Sequence, residues 1–313
     1  MKKLRHILAI YDDGIGGDDV LVQAVRVARG NGANLTIAKP LGNYPGSPAT
    51  VSEAERRLSR LIPWINQEGV DNVSTGVILG TPHVEIAREV LLKKYDLVIA
   101  GEQAGGGLKD IIRGSVAHNL VRKCPAPVWI VRRRRGSVQG VLAAVEAPLD
   151  DPSNPLDVSV VEKAAEIAAS INSRLHVLHS WQIEGGDAEM LSSEIRDTTR
   201  RSILDSHASR RSRAVKTLLD NCRLHGVTVH THLPRGDHLQ NIIMLAGQLG
   251  PELTVMGTAG RDGLQRLLSG NAVETVMAGT RCGVLAVKPD DYRTPIAMTP
   301  YMADFHAAGA DGR

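Results

Sequence analysis

The sequence predicts an α/β protein made of two tandem, doubly wound, Rossmann-like parallel sheets. Three observations carry this. Short apolar runs alternate with stretches of helical periodicity along nearly the whole chain, the pattern of parallel strands covered by helices on both faces. The second half repeats the order of the first. Gly80 matches Gly236, Asp96 matches Glu252, Gly101 matches Gly257 and Val128 matches Val284, all offset by 156 residues, and the offset falls to 134 at the front of each half. Aromatic residues make up only 3% of a chain that is 42% hydrophobic, so the cores must be filled by Val, Ile, Leu and Ala, as in buried parallel sheets.

In the first half, Ile7 to Tyr11 is a short strand running into Asp12-Asp13. A helix holds Val20, Val25, Val27 and Ala28 after Gly16-Gly17. Asn34 to Ala38 is a second strand, and Pro40 to Pro48 is a loop rich in Gly and Pro. Ser52 to Trp64 is an amphipathic helix with Leu58, Leu61 and Ile62 on one side. Val73 to Leu79 is the third strand, and Pro82 suits the first turn of the next helix. Asp96 to Ala100, a helix from Ser115 to Lys123, and Val128 to Val131 complete this half.

The second half runs Val141 to Val145 (strand, ending at Glu146), Val158 to Ile171 (helix), Leu175 to His179 (strand), and a long polar helical region from Glu189 to Leu224. A strand from Val227 to Leu233, a helix from Leu239 to Leu249, a strand from Leu253 to Met256, a helix from Ala272 to Gly279 and a last strand from Val284 to Val287 follow. The boundary falls near Gly136 to Gln139. This gives domains 1–136 and 137–291 and a C-terminal tail 292–313 whose last residues, Ala307 to Arg313, are expected to be disordered.

Composition excludes several functions. A formal charge of +3 on 313 residues and few aromatics argue against a nucleic-acid partner, and the run Arg132 to Arg135 reads as a solvated interdomain linker. Three scattered cysteines, Cys124, Cys222 and Cys282, make neither a disulfide framework nor a zinc cluster, and fit a reducing cytoplasm. Cys124 and Cys282 each precede a strand and read as small buried residues. The basic N-terminus has too short an apolar run for a signal peptide, and no stretch of about 18 apolar residues exists to span a membrane.

The most informative stretch is Gly257-Thr258-Ala259-Gly260, with Gly270-Asn271 following after nine intervening residues. It lies between an apolar strand and a helix start, where backbone N–H groups and the helix dipole favour a phosphate. A second copy lies 156 residues earlier: Gly101 stands for Gly257 and Gly114-Ser115 for Gly270-Asn271, but Ala104 replaces Gly260, beside Gly105-Gly106-Gly107.

A strand ending in an acid followed by a late G-x2-G-x9-G before Ser, Thr or Asn resembles the universal stress proteins. Two such domains in one chain resemble the tandem, E-type members. The resemblance spans nearly the whole chain and is most specific in His118 to Trp129, Gly257 to Asn271, and Lys288 to Pro295. It implies a five-stranded parallel sheet per domain, pairing of the two domains about a pseudo-twofold axis, and nucleotide bound in some members. By that resemblance Glu146 and Ser180, with His179, line the adenosine end. Gly257, Gly260, Gly270 and Asn271, with the backbone of Ala272 and Val273, surround ribose and phosphates. Met256, before the first glycine, is counted with the binding site, and Arg261 reads either as a counter-charge to phosphate or as a solvated loop charge. The expected ligand is ATP, with Mg²⁺, or a related nucleotide. Asn271 departs from the family's Ser or Thr but can still cap a helix, and Glu146 departs from Asp by one methylene. The weaker equivalents in the first domain are Asp12, Lys39-Pro40, Gly101, Gly114 and Ser115, and with Ala104 in the loop that domain is expected to bind nucleotide poorly. A homodimer built on the intrachain domain pair is the expected assembly.

Other readings have less support. Asp12-Asp13 sits where a phosphorelay receiver keeps its acid pair, but Leu79-Gly80 and Pro234-Arg235 stand where the acceptor aspartate would be. His176, His179, His230 and His232 lie on neighbouring strands, where imidazoles can converge on zinc. No Ser-His-Asp order, Walker lysine or nucleophile elbow is present, so no catalytic residue is assigned and at most a slow ATPase is expected. An apolar or lipid-like ligand, or a purely assembling role, is the alternative from another class.

Overall fold

The computed structural model describes residues 3–13, 16–42, 48–102, 116–132, 140–183, 191, 196–258 and 271–298. By contact the chain divides into two units, Met1–Ser137 with Cys282–Arg313, and Val138–Arg281. Gly260, Arg261, Gly270, Gly114 and Ser115 lie outside the described residues, as do most of the Arg132 to Arg135 run, the side chain of Asn271 and the chain beyond Met298.

The first unit contains β1 (His6–Ile10), α1 (Gly17–Asn31), β2 (Asn34–Pro40), α2 (Pro48–Ser59), α3 (Ile62–Gln67), β3 (Val73–Ile78), α4 (Pro82–Lys93), β4 (Leu97–Gly101), α5 (Val116–Lys123) and β5 (Val128–Val131). Its strands follow the order β3-β2-β1-β4-β5, and those pairs are parallel. β1 and β4 are apolar on both faces and buried almost throughout, as a sheet with helices on both sides requires. The start of β1 is held by Asp96, whose Oδ2 accepts the backbone N–H groups of Arg5 at 2.9 Å and His6 at 3.0 Å. The amphipathic stretch expected as one helix divides into α2 and α3. Arg60 and Leu61 form the turn between them, and Pro63 sits in the first turn of α3, where its missing N–H costs nothing.

The last strand, β10 (Gly283–Val287), belongs to this unit and runs antiparallel to β5, pairing Val284 with Ile130, Leu285 with Trp129 and Ala286 with Val128. All five of its residues are buried, and it satisfies the otherwise open side of β5, which is also buried throughout. The tandem α/β class therefore stands, with one strand departing from strictly parallel pairing.

The second unit contains β6 (Val141–Val145), α6 (Pro155–Ser170), β7 (Leu175–His179), α7 (Asp197–Asp220), β8 (Val229–His232), α8 (His238–Leu249), β9 (Leu253–Gly257) and α9 (Asn271–Gly279). Its strands follow the order β9-β6-β7-β8, all parallel. α6 begins at Pro155 because Asn154 caps it, accepting the Asp157 N–H at 3.0 Å. Asp237 caps α8 in the same way, through the Gln240 N–H at 2.8 Å. Cys124 and Cys282 are buried, as expected, and all three cysteines are free thiols.

Candidate functional site

In an open parallel sheet the ligand crevice lies beyond the carboxyl ends of the strands, where the winding reverses. In the second unit that point lies at β6, which has β7 on one side and β9 on the other. Glu146 follows β6, Ser180 follows β7, and Met256 and Gly257 close β9. The fold thus brings these four predicted residues to the ends of neighbouring strands. Asn271, Ala272 and Val273 form the first turn of α9, and Val273 is buried while Ala272 is exposed.

The loop after β6 is tightly held. Asp157 Oδ2 accepts the Ala147 N–H at 2.8 Å and the Asn154 side-chain amide at 2.6 Å, and its Oδ1 accepts the Glu146 N–H at 3.2 Å. Ala147 takes φ +37°, a strained value for a residue with a side chain, and Asp157 secures it. Burial raises the Asp157 pKa above the usual carboxylate range, outweighing the opposing pull of Asn154 and the two backbone donors. Glu146 itself is an exposed residue. A Cβ placed on Gly257 would stand 2.8 Å from Leu156 Cδ2. Glycine at this position thus lets the first turn of α6 pack against the end of β9.

Polar atoms without partners gather at the same strand ends. Ser180 Oγ and Thr258 Oγ1 are buried and make no hydrogen bond among the described residues. His179 is 2% exposed, and neither ring nitrogen has a hydrogen-bond partner of normal geometry. Burial, then the positive charge of Arg211, lowers its pKa to about 4, against a weak opposing influence from the backbone of Val145; the ring is neutral at neutral pH. Trp181 is anchored by its Nε1–H to Leu233 O at 3.0 Å and lies parallel to the His207 ring of α7. Thr258 and Asp157 escaped the sequence reading. Thr258 is legible as the residue after the strand-ending glycine, and Asp157 through the spacing Asn154-Pro155-Leu156-Asp157.

The equivalent point in the first unit is filled differently. Asp13, after β1, pairs with Lys39 at the end of β2 and with Arg57 Nη1 at 3.3 Å. Burial, then Asp13, raises the neighbouring Tyr11 phenol. The Asp12 carbonyl lies against the start of α1, where a Cβ on Gly17 would stand 1.9 Å from that oxygen; only glycine fits there. Among the described residues, a Cβ on Gly101 would meet only Val20 Cγ2, at an ordinary 3.5 Å.

The four histidines expected as one group separate. Side chains alternate along a strand, so His176 and His179 face opposite sides of β7. His176, His230 and His232 share the other face. Among the described residues no three metal-ligating side chains converge on one point. No helix among them is long and apolar enough to cross a membrane.

The universal stress protein family pattern matches residues 3–132 and again 147–288. The chain belongs to the universal stress protein family. It is 24% identical over 315 residues to universal stress protein E of Salmonella typhi, covering 95% of this chain and 98% of that one. Universal stress protein E of Escherichia coli K12 is also 24% identical, over 316 residues, with the same coverage. Among solved structures, a protein of unknown function from Pseudomonas aeruginosa PAO1 superposes with a TM-score of 0.69 at 25% identity, covering 92% of this chain and 94% of that one. A universal stress protein from Archaeoglobus fulgidus superposes with a TM-score of 0.59 at 16% identity, covering 91% and 97%. Two family repeats in one chain support a stress-response role for this universal stress protein.

Proposed function

We propose that this tandem universal stress protein binds ATP or a related nucleotide in its second unit, at the carboxyl ends of β6, β7 and β9. The observation that carries the reading is the pair of buried hydroxyls, Ser180 Oγ and Thr258 Oγ1, that have no hydrogen-bond partner among the described residues, at the point where the winding reverses. Buried polar groups are nearly always hydrogen-bonded, and a ligand with sugar and phosphate oxygens offers the missing partners. In this reading Glu146 and Ser180 flank the adenosine. Gly257, Gly260, Gly270 and the first turn of α9 at Asn271, Ala272 and Val273 take ribose and phosphates, with Met256 beneath and Arg261 as a counter-charge. Mg²⁺ would accompany the phosphates. The first unit is the poorer site, because Lys39 and Arg57 are already paired with Asp13. The same reading expects a cytoplasmic homodimer, in keeping with three free thiols.

Equilibrium binding of ATP tests this. Gly260→Val abolishes binding by filling the loop, and Thr258→Ala weakens it about fivefold, the worth of one hydrogen bond of about 1 kcal/mol. Gly101→Ala, whose new Cβ fits, leaves affinity unchanged. Equal affinity of wild type and Gly260→Val would remove the assignment.

A further inference from the structure

Away from that site, at the amino ends of β7 and β8, the second unit carries an open cleft of about 540 Å³. Its walls are the end of α6 at Ala169, the turn Asn172-Ser173-Arg174 into β7, and the turn from His225 to Thr228 into β8. The same place in the first unit is recognisable from its hydrogen bonds. Gly32 N–H donates to Arg29 O at 3.2 Å and Ala33 N–H to Ala28 O at 2.9 Å. In the second unit Asn172 N–H donates to Ala169 O at 3.2 Å and Ser173 N–H to Ala168 O at 2.8 Å. Gly32 and Asn172 take φ +61° and +54° to make that helix end. Leu35 N–H meets Asn72 O at 2.9 Å, as Leu175 N–H meets Thr228 O at 3.0 Å. Arg29 therefore corresponds to Ala169 and Asn34 to Arg174. Glu68 and His225 correspond as the residues before the left-handed glycines Gly69 and Gly226.

The two units fill that place differently. In the first, Arg29 Nη1 donates to Glu68 O at 3.2 Å and lies 3.5 Å from Glu68 Oε2. A Cβ on Gly69 would stand 3.3 Å from Arg29 Cδ, so the arginine lies over the glycine with its charge paired. In the second, Ala169 leaves that space open: a Cβ on Gly226 would meet nothing within 4 Å among the described residues. The backbone differs too, since Glu68 takes φ −75° and His225 takes φ +51°, uncommon for a residue with a side chain. The carboxylate of Glu68 has gone, Arg174 adds a cation, and no residue lining the cleft is acidic. Asn172, Arg174, His225 and Thr228 are exposed. Among the described residues their side chains, and that of Ser173, engage no other residue in a hydrogen bond or ion pair.

We propose that this cleft binds a small, hydroxyl-rich organic phosphate of the sugar-phosphate class. Arg174 offers phosphate a planar fork of N–H donors. Asn172, Ser173 and Thr228 offer hydroxyl groups both donors and acceptors, and His225 adds a ring nitrogen from the other turn. The volume lies within the roughly 300–1,000 Å³ of small-molecule sites, and inorganic phosphate would leave most of it empty. A lipid tail would need an apolar wall, and of the lining residues only Ala169 and Val227 carry apolar side chains. None of the protein's own interactions has to break for the ligand to enter.

The test is calorimetric titration of the full chain with a triose, a pentose and a hexose phosphate, with inorganic phosphate and the free sugars as controls. At least one sugar phosphate should bind at one site per chain, more tightly than either control. Arg174→Gln should weaken that binding about tenfold or more, the worth of a hydrogen bond to a charged group. Ala169→Arg combined with His225→Glu rebuilds the bridge of the first unit and should abolish binding. Both positions are exposed, and an unchanged urea midpoint shows that the double variant is folded. Failure of every sugar phosphate to bind, or equal affinity in wild type and the double variant, overturns the proposal. Inorganic phosphate bound as tightly as every sugar phosphate overturns it too, reducing the cleft to a patch of positive charge. ATP affinity should be the same in wild type and both variants, because the nucleotide site lies at the opposite ends of the strands. The two readings therefore stand or fall separately.

Discussion

His179 ends β7 with both ring nitrogens buried and, among the described residues, without a hydrogen-bond partner of normal geometry, so its ionisation should be visible in the stability of the whole unit. Its pKa in the folded chain is about 4, against an ordinary 6.5. Between those values the unfolded chain binds a proton that the native chain refuses, so the contribution is fully present above 6.5 and is lost as pH falls toward about 4. A shift of that size corresponds to about 3 kcal/mol. Asp157, with its raised pKa, acts in the opposite sense and blunts the loss at the acid end. Urea unfolding of wild type and His179→Leu at pH 7 and pH 4.5 checks this, and the variant should lose clearly less stability across that range. An equal loss would mean that the ring titrates normally. At this scale the sequence could place His179 at a strand end beside Ser180. It could not show that burial keeps the ring neutral, because that depends on Arg211 from α7 and on the packing above β7.

Helix ends show how distant segments complete one another. The last carbonyls of α5 have no partner within the helix, and residues from the end of the chain supply them. Lys288 Nζ donates to Val121 O and, at 3.2 Å, to Arg122 O. Tyr292 OH donates to Arg122 O at 2.6 Å, and Thr294 Oγ1 to Lys123 O at 2.6 Å. Arg88 of α4 holds the same segment through Ala297 O at 3.1 Å. A cationic lysine at a helix C-terminus is also favoured by the dipole, and Lys288 lies 4.7 Å from the Tyr292 ring centroid. The motif Lys288 to Pro295 was visible in the sequence as a specific signature, yet its role was not, since its partners lie more than 160 residues away. Tyr292→Phe and Thr294→Val should each cost about 1 kcal/mol, the net worth of one such bond. Urea midpoints with an unchanged m-value would check it, and a stabilised double variant would contradict the capping role. α7 marks a different limit. Its 24 residues bury only Ala214, Val215 and Leu218, so its amphipathic signal is weak. The sequence therefore gives the helix's presence but neither its start nor its use of His207 against Trp181.

At the scale of the chain, the repeat was legible and the destination of its last strand was not. Val284 to Val287 reads as a fully buried strand whichever sheet it joins, because an apolar run carries no record of its partner. In the structure it lies against β5 with a register symmetric about one pair: Trp129 faces Leu285, its own counterpart at the 156-residue offset, and Val128 and Ile130 face Ala286 and Val284. Two related strands that meet antiparallel in this way share a local twofold, which the repeat makes natural. Burying Val284, Leu285 and Val287, each at most 1% exposed, contributes roughly 1.5–3 kcal/mol apiece. That sum rivals the 5–15 kcal/mol typical of a whole domain. A chain ending at Arg281 keeps every strand of the second unit but removes β10 and the segment that caps α5. We expect it to lose amide protection in β5 and to expose Trp129, now 1% accessible, with a red-shifted tryptophan emission. A chain ending at Val287 keeps the strand and loses only the caps, so β5 should stay protected while the unfolding free energy falls by the few kcal/mol of the missing hydrogen bonds. Hydrogen exchange on peptides spanning residues 126–132 distinguishes the two. If the chain ending at Arg281 kept native protection there, β10 would be a dispensable cover, and the first unit would own a complete core without any contribution from the second half of the sequence.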